Sequence, residues 1–482
     1  MPRQPSSPND VLTALATELR EKLGADGVLT GADVAEKLAG PAARGPHLAQ
    51  ILARPRNTGE VAMAVAACAR RAVPIVTQGG LTGLVHGAQD DAHELILSLE
   101  RMSAIEDIDP VQRVAVVQAG VPLQALQEAA DKHDLSFPLD FGARGSATLG
   151  GAASTNAGGN RVVRYGMTRA LILGLEVVLA DGTIVSSLNR LVKNNTGYDL
   201  KQLFIGAEGT LGVITRLALR LQEKAAAENV ALLAVTDFEK VCDLLKRLDR
   251  GLGGGLSAFE VMWREFYQLV TTSPRCTTPP LPDEYPFYVL VEALGGDPVR
   301  STEQFVALLE TEMENGAIAD AVIASSDRER RAIWSLRDDV VQIHRYGPAI
   351  TFDVSLPLAR IDDYVSRIRS DIAERWPDHH CWVYGHLGDS NLHIVVRVPD
   401  ATRERPRVER VVYSALDGTE GSISAEHGVG LEKKPYLHLS RNPQEIALMR
   451  RLKAALDPEN LFNPGKIFDL TAQAQPPPSR HP

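Results

Sequence analysis

Leu12, Leu15, Leu19 and Leu23 recur at helical spacing. Asn9 or Asp10 can cap the start of that run and Gly24 can end it, so the pattern predicts an amphipathic docking helix at the N-terminus. From Pro55 the apolar positions predict a helix over 61–71, a strand over 74–77, a glycine loop over 78–87, strands over 95–99 and 114–118 and a helix over 122–133. That order is α+β. Asp181-Gly182 separates apolar runs at 171–179 and 183–185 and predicts a hairpin turn, and a glycine turn over 206–212 leads into a strand over 213–221. Two similar units follow: a strand over 230–235 with a helix after Asp237, and a strand over 287–292 with a helix after Asp297. A third strand over 350–355 precedes a helix near Leu358. These elements predict a second, α/β layer domain on an antiparallel sheet. The division expected is an N-terminal helical segment (1–50), a first domain (51–222), a second domain (223–423), a C-terminal segment returning to the first domain (424–470) and a disordered tail (471–482).

The 482 residues are too many for one hydrophobic core, and 44% hydrophobic with 23% charged residues describes an ordinary globular chain. A net charge of -10 has the wrong sign for a protein that neutralises phosphates along a nucleic acid. The four cysteines, Cys68, Cys242, Cys276 and Cys381, lie far apart without a C-x-x-C pair, which argues against a disulfide framework and places the chain in a reducing compartment. No apolar run approaches the ~18 residues of a membrane span, and the polar start lacks a signal pattern. A cytoplasmic location is the expectation.

In Gln78 to Leu84 (QGGLTGL) a strand runs into closely spaced glycines, which let backbone N–H groups converge on an anion. A tight surface turn is the plain alternative. Seven glycines also fall between Gly142 and Gly166 in a stretch with little hydrophobic periodicity, and a structureless segment of that length inside a domain is usually functional. A large ligand lying against both explains them. Gly251 to Gly255 lacks G-x-G-x-x-G spacing after a strand and Gly465-Lys466 lacks the Ser/Thr of a P-loop, which disfavours both nucleotide motifs.

QGGLTGL, PLDFGARGSATLGG, TNAGGNRVVRYG, GLEVVLADGT, NNTGYDLKQLFIGAEGTLGVIT, GHLGDSNLH, SAEHGVG and FNPGK occur in order between about residues 50 and 468. With these motifs the chain resembles the flavin-dependent D-2-hydroxy acid dehydrogenases of the vanillyl-alcohol-oxidase superfamily. Within it, the resemblance is greatest to the enzymes acting on D-2-hydroxyglutarate, then to those acting on D-lactate. It implies an α+β fold: an FAD-binding domain of two α+β subdomains, an α/β cap domain on an antiparallel sheet, and a C-terminal segment folded back on the flavin. By that likeness the pyrophosphate lies on the backbone of Gly79, Gly80, Leu81, Thr82, Gly83 and Leu84, with Gln78 also among the cofactor-binding residues. Pro138, Asp140, Gly145, Ser146, Thr148, Gly150, Gly151, Asn156, Gly158 and Gly159 flank the flavin and ribityl chain, with Ile214 near the adenine and Asn463 near the ring. Leu81 stands where relatives usually carry Asn and covalent flavoenzymes carry the tethering His. His86, where relatives have Gly, is set aside as a tether, so the FAD is expected to be noncovalent.

His386 and His393 flank a turn at Gly388-Asp389, between strands that can present both imidazoles on one side of a hairpin. Two histidines with a distant carboxylate, Glu426, suit a zinc site with open positions, although histidines near a turn are more often solvent-exposed or hydrogen-bonded. The resemblance places His386, His393 and Glu426 on the metal. It also makes His427 the general base and Arg337 the grip on the substrate carboxylate. The reaction implied is oxidation of a D-2-hydroxy acid to the 2-oxo acid, with hydride passing from C2 to flavin N5 and electrons leaving to an external acceptor: electron-transfer flavoprotein, a quinone or oxygen. Three positions depart from the D-2-hydroxyglutarate enzymes: Val341 replaces a Thr, Thr351 a Lys and Val395 an Asn. A monocarboxylate with a neutral or apolar side chain is therefore expected, with D-2-hydroxyglutarate itself as the alternative. A zinc hydrolase would leave the glycine motifs unexplained, and a flavin-binding protein without turnover is the third reading. No nucleic acid or transmembrane segment is expected, and a homodimer is an open assembly.

Overall fold

A computed structural model describes residues 8–40, 43–276 and 278–470, so the expected disordered tail at 471–482 lies outside the described residues. The N-terminal leucines form the buried stripe of a helix, Pro8–Leu23, and Gly24 beyond it takes φ +78°. Two sheets follow. A four-stranded sheet holds β1 (Val28–Thr30), β2 (Ile51–Ala53), β3 (Ile75–Gln78) and β4 (Leu95–Ser98) in the order β1-β2-β4-β3. A five-stranded antiparallel sheet holds β5 (Ile105–Asp109), β6 (Val114–Gln118), β8 (Ile172–Val178), β9 (Ile184–Ser187) and β10 (Val213–Arg220) in the order β5-β6-β10-β8-β9. A short ribbon pairs β7 (Leu135–Ser136) with β11 (Gln222–Glu223). One core runs through the first helix and both sheets, and Leu461 and Phe462 from the chain's end join it.

The third sheet is seven-stranded and wholly antiparallel. Its strands are β12 (Ala227–Val235), β13 (Leu256–Trp263), β14 (Phe287–Gly295), β15 (Asp320–Ile323), β16 (Ile350–Ser355), β17 (His380–His386) and β18 (Asn391–Arg397). They lie in the order β15-β12-β14-β13-β17-β18-β16. Both faces are covered. Helices Phe238–Leu252, Pro298–Glu314, Leu358–Arg375 and Ala401–Ser414 contribute to the core on one face, and Arg264–Thr271 and Asp327–Asp338 to that on the other.

The stretch 141–166, expected to be structureless, contains a helix at Leu149–Thr155 and a turn of helix at Val162–Tyr165. Glycines hid the first of these. Thr148 caps it, accepting from Gly151 N–H, and Gly150 is required because a Cβ there would sit 2.6 Å from the Ala119 Cβ. Close helix-to-strand approach offsets the helix cost of glycine.

Candidate active site

Strand register assembles the site. Directly paired residues project to the same face with Cβ atoms about 5 Å apart. One row across the seven-stranded sheet pairs Met262 with Tyr384, Tyr384 with His393 and His393 with Asp353. The next row pairs Glu260 with His386, and the row on the other side pairs Trp382 with Val395 and Val395 with Thr351. His386 and His393 therefore share a face, as the hairpin reading expected, with ring centroids 5.3 Å apart.

The segment Ser424 to Gly430 brings the remaining groups, and a buried carboxylate holds it there. Asp353 Oδ2 accepts from the backbone N–H of Ala425, Glu426 and His427 at 3.1, 3.1 and 2.9 Å, and from Ser424 Oγ and Lys433 Nζ at 3.2 Å each. Burial opposes this charge, but His427, Lys433 and His393 hold the Asp353 carboxyl far below the usual carboxylate range. A second carboxylate, Glu208, accepts from the N–H groups of Val429 and Gly430 at 2.7 and 2.8 Å. Gly430 has φ +50° and a Cβ there would lie 2.1 Å from the Val85 carbonyl oxygen, so no side chain fits.

Glu426 Oε1 consequently stands 3.8 Å from His386 Nε2, 3.6 Å from His393 Nε2 and 3.9 Å from His427 Nε2. Asp353, His393, Glu426 and His427 each bring a ligand atom within 4.8 Å of one another. Asp353 Oδ1 is buried without a hydrogen-bond partner, 4.0 Å from His393 Nδ1. Burial, and then the charge on His386, push His393 well below its ordinary value, leaving the neutral imidazole that ligates metals. His386 behaves oppositely: burial would lower it, but Glu260 at 2.8 Å from Nδ1 outweighs burial and brings it up to about 9. This donor set fits a divalent cation, and His386, outside that close group of four, faces Glu426 with the Glu260 carboxylate behind it.

Arg337 is 4% exposed on the helix Asp327–Asp338, donates from Nε to Glu260 at 2.8 Å and lies 4.8 Å from the Tyr384 ring centroid. It shares the face with the histidines. Val395 and Thr351 sit one row beyond His393 and Asp353, Val395 buried and Thr351 exposed. Val341 lies on the 3-10 stretch Val340–Tyr346 and is 47% exposed.

The glycine motifs of the N-terminal sheets meet one another. A Cβ on Gly79 would lie 2.4 Å from Thr148 Oγ1, one on Gly80 2.0 Å from the Ser146 carbonyl oxygen, and one on Gly159 2.1 Å from the Asp140 carbonyl oxygen. Gly83 and Gly142 face open space. Gln78 is buried and donates to the Ala88 carbonyl, closing the loop that Leu81, Thr82 and Leu84 belong to. Leu81 adopts φ +55°, a conformation that suits Asn better than Leu. Pro138 is buried and Gly145 and Ser146 are exposed, while Asp140 accepts from Arg144 at 2.7 Å. Asn156 caps the helix after Gly150 and Gly151 in a left-handed conformation and accepts from Arg169 N–H. Ile214 is buried on β10 opposite Val177. Asn463 accepts from Thr77 N–H at 3.1 Å and donates to the Glu208 carbonyl at 2.6 Å, which ties the chain's end to the glycine loop's strand. Gly158 joins the two halves: a Cβ there would lie 2.8 Å from Glu426 Oε2. Tightly packed backbone at Gly79, Gly80 and Gly159 beside the open Gly83 and Gly142 fits a cradle for an extended cofactor.

Sequence reading missed Glu260 and Lys433. The signal for Glu260 was a lone acid in the apolar run LSAFEVMW, a position that needs a buried partner.

Residues 49–187 match the family model described as "FAD binding domain", and residues 224–467 match "FAD linked oxidases, C-terminal domain". The chain is 42% identical over 425 residues to a mitochondrial D-2-hydroxyglutarate dehydrogenase of Bos taurus, covering 88% of this chain and 77% of that one. It is 40% identical to a D-2-hydroxyglutarate dehydrogenase of Xanthomonas citri pv. viticola, covering 87% and 89%. The solved structure of p-cresol methylhydroxylase superposes with a TM-score of 0.74 at 18% identity over 96% of this chain and 98% of that one, a likeness of fold. Among the described residues no helix is long and apolar enough to cross a membrane.

Proposed function

The chain belongs to the FAD-linked oxidases, in the family of the D-2-hydroxyglutarate dehydrogenases, and from that premise we propose that it is an FAD- and zinc-dependent dehydrogenase. Its reaction is oxidation of a D-2-hydroxy acid to the 2-oxo acid, with a monocarboxylate of neutral or apolar side chain preferred. The observation that carries this reading is the convergence of His386, His393, Glu426 and His427 next to Gly158, with Arg337 on the same sheet face. When bound, FAD supplies a hydride acceptor and zinc a Lewis acid that acidifies a coordinated hydroxyl.

The chain's own residues do the rest. His386, His393 and Glu426 would hold the zinc, and the glycine loops around Gly79–Gly83, Gly145–Gly151 and Gly158–Gly159 would hold the FAD without a covalent bond. Arg337 presents its two Nη atoms to the substrate carboxylate and fixes which face of C2 is reached. His427, whose backbone N–H is tied to Asp353, takes the hydroxyl proton at Nε2 as hydride leaves C2. The row on the other side of His393 and Asp353 offers the substrate side chain a hydroxyl (Thr351), an isopropyl (Val395) and an indole (Trp382). A second carboxylate set there without a cation costs about 2–3 kcal/mol. Electrons leave to an external acceptor.

Anaerobic bleaching of the flavoprotein by a panel of D- and L-2-hydroxy acids, with and without chelator, tests the proposal. Bleaching is expected from D-isomers only, fastest with a monocarboxylate of neutral or apolar side chain, and slowed by chelation. A higher kcat/KM for D-2-hydroxyglutarate than for every monocarboxylate would overturn the preference and leave a D-2-hydroxyglutarate dehydrogenase. Bleaching indifferent to chelation would remove zinc.

A further inference from the structure

One carboxylate touches both arms of this chemistry. Glu260 lies on β13, where every residue from Leu256 to Trp263 is buried, and the register sets it opposite His386. Its Oε1 is 2.8 Å from His386 Nδ1 and its Oε2 accepts from Arg337 Nε at 2.8 Å. The two neighbours have orientations that their own chains do not fix. An imidazole has two tautomers and two ring flips, and a guanidinium swings on a long stem. With Nδ1–H donated to Glu260, Nε2 is the ring nitrogen left to give up its proton to an incoming cation, and it stands 3.8 Å from Glu426. With Nε–H donated to the same carboxylate and the guanidinium set 4.8 Å from the Tyr384 ring centroid, the two Nη atoms of Arg337 remain for an incoming carboxylate.

We propose that Glu260 is a positioning residue that sets both the cation-binding nitrogen of His386 and the carboxylate-binding edge of Arg337, so that cation affinity and substrate-anion affinity depend on one side chain. It reaches neither the substrate nor the cation. A carboxylate suits this task because two N–H donors converge on it. The amide of Gln has one acceptor oxygen and turns two N–H donors of its own toward those already there. Asp keeps both acceptors but withdraws them by one methylene.

The test uses the full chain loaded with FAD and stripped of metal by chelator. Zinc affinity is read by competition with a chromophoric chelator, and anion affinity by perturbation of the flavin spectrum with pyruvate. Glu260→Gln is expected to weaken zinc by about 10–100-fold, the usual effect of losing a partner behind a metal ligand, and pyruvate by about tenfold, with FAD content unchanged. Glu260→Asp is expected to fall between wild type and Gln in both. An unchanged affinity for either ligand in Glu260→Gln overturns the proposal. So does loss of FAD and of thermal stability in both variants, which would make Glu260 a folding residue only. The inference rests on His386 as a cation ligand and Arg337 as the anion clamp. Wild type that binds neither zinc nor pyruvate fails that reading, whereas wild type that binds both with Glu260→Gln unaltered fails the role of Glu260 alone.

Discussion

Individual side chains owe their properties here to burial that composition does not announce. Asp389, in the turn between β17 and β18, reads from sequence as a simple turn former. In the fold, burial first, then the charges of Glu260 and Glu426 against that of His386, push its carboxyl from 3.8 up to about 7. Between those values the folded chain holds a proton that the unfolded chain releases. The stability linked to Asp389 is therefore full below the lower value and is lost as pH rises through about 7. Discounted for water at the turn, the loss is about 2 kcal/mol. In chelator-treated protein, Asp389→Asn is expected to melt slightly above wild type at pH 5 and several degrees above it at pH 8. A gap that does not change with pH would show that the carboxyl titrates normally. Glu260 was invisible for the related reason that a lone acid gives no clue to its partners, and those partners lie 77 and 126 residues away.

At the scale of elements, periodicity located what is amphipathic and passed over what is not. The strand over 350–355, the helix after Asp237 and the hairpin around Asp181-Gly182 match their expectations because each alternates or has turn chemistry. β13 was passed over although β12 and β14, also buried on both faces, were expected from their apolar runs: Ser257 and Glu260 interrupt its run. The helix Leu149–Thr155 was hidden by glycines whose purpose is close approach. The same logic makes the glycine loop testable as a unit. A Cβ on Gly80 would lie 2.0 Å from the Ser146 carbonyl oxygen and 2.9 Å from the Ala147 Cα, contacts that flexible side chains cannot relieve. Gly80→Ala must part the 78–84 loop from the 145–151 segment. Purified Gly80→Ala is expected to retain less than about a tenth of the wild-type FAD, while zinc affinity at His386 and His393 stays within about twofold because their strands are elsewhere. Full FAD content in this variant would show that the two loops do not form the cofactor cradle.

For the whole molecule, the question is what keeps the glycine loops and the histidine sheet in one register, since the proposed chemistry needs the flavin ring and Glu426 to meet. Part of the answer was legible: the motif order implied that the chain's end returns to the first sheets, and Ile75 pairs with Phe462 while Asn463 N–H donates to the Ile75 carbonyl. Two arginines that the sequence showed only as residues of NRVVRYG add to it: Arg164 donates to the Gly255 and Leu294 carbonyls, and Arg161 makes the buried ion pair. Beside the helical turn Val162–Tyr165, it reaches into the seven-stranded sheet and donates from Nε and Nη2 to Glu292 at 2.8 and 3.2 Å. Glu292 is fully buried on β14 and also accepts from Ser257 and from Trp334 Nε1, on the helix that carries Arg337. Burial opposes its charge, and Arg161 is what holds its carboxyl low. Arg161→Met leaves that carboxylate buried without its cation, a loss of about 3–5 kcal/mol. Because the ion pair spans the seam, the cost falls on the contact between the two halves rather than on either core. Flavin release, followed by its fluorescence on heating, is expected to precede calorimetric unfolding of the seven-stranded sheet in Arg161→Met, whereas the two coincide in wild type. Adding Glu292→Gln removes the stranded charge and is expected to return part of the lost stability without restoring the coincidence. Coincident transitions in Arg161→Met, at the wild-type temperature, would mean that the seam is held by its apolar packing and not by this pair.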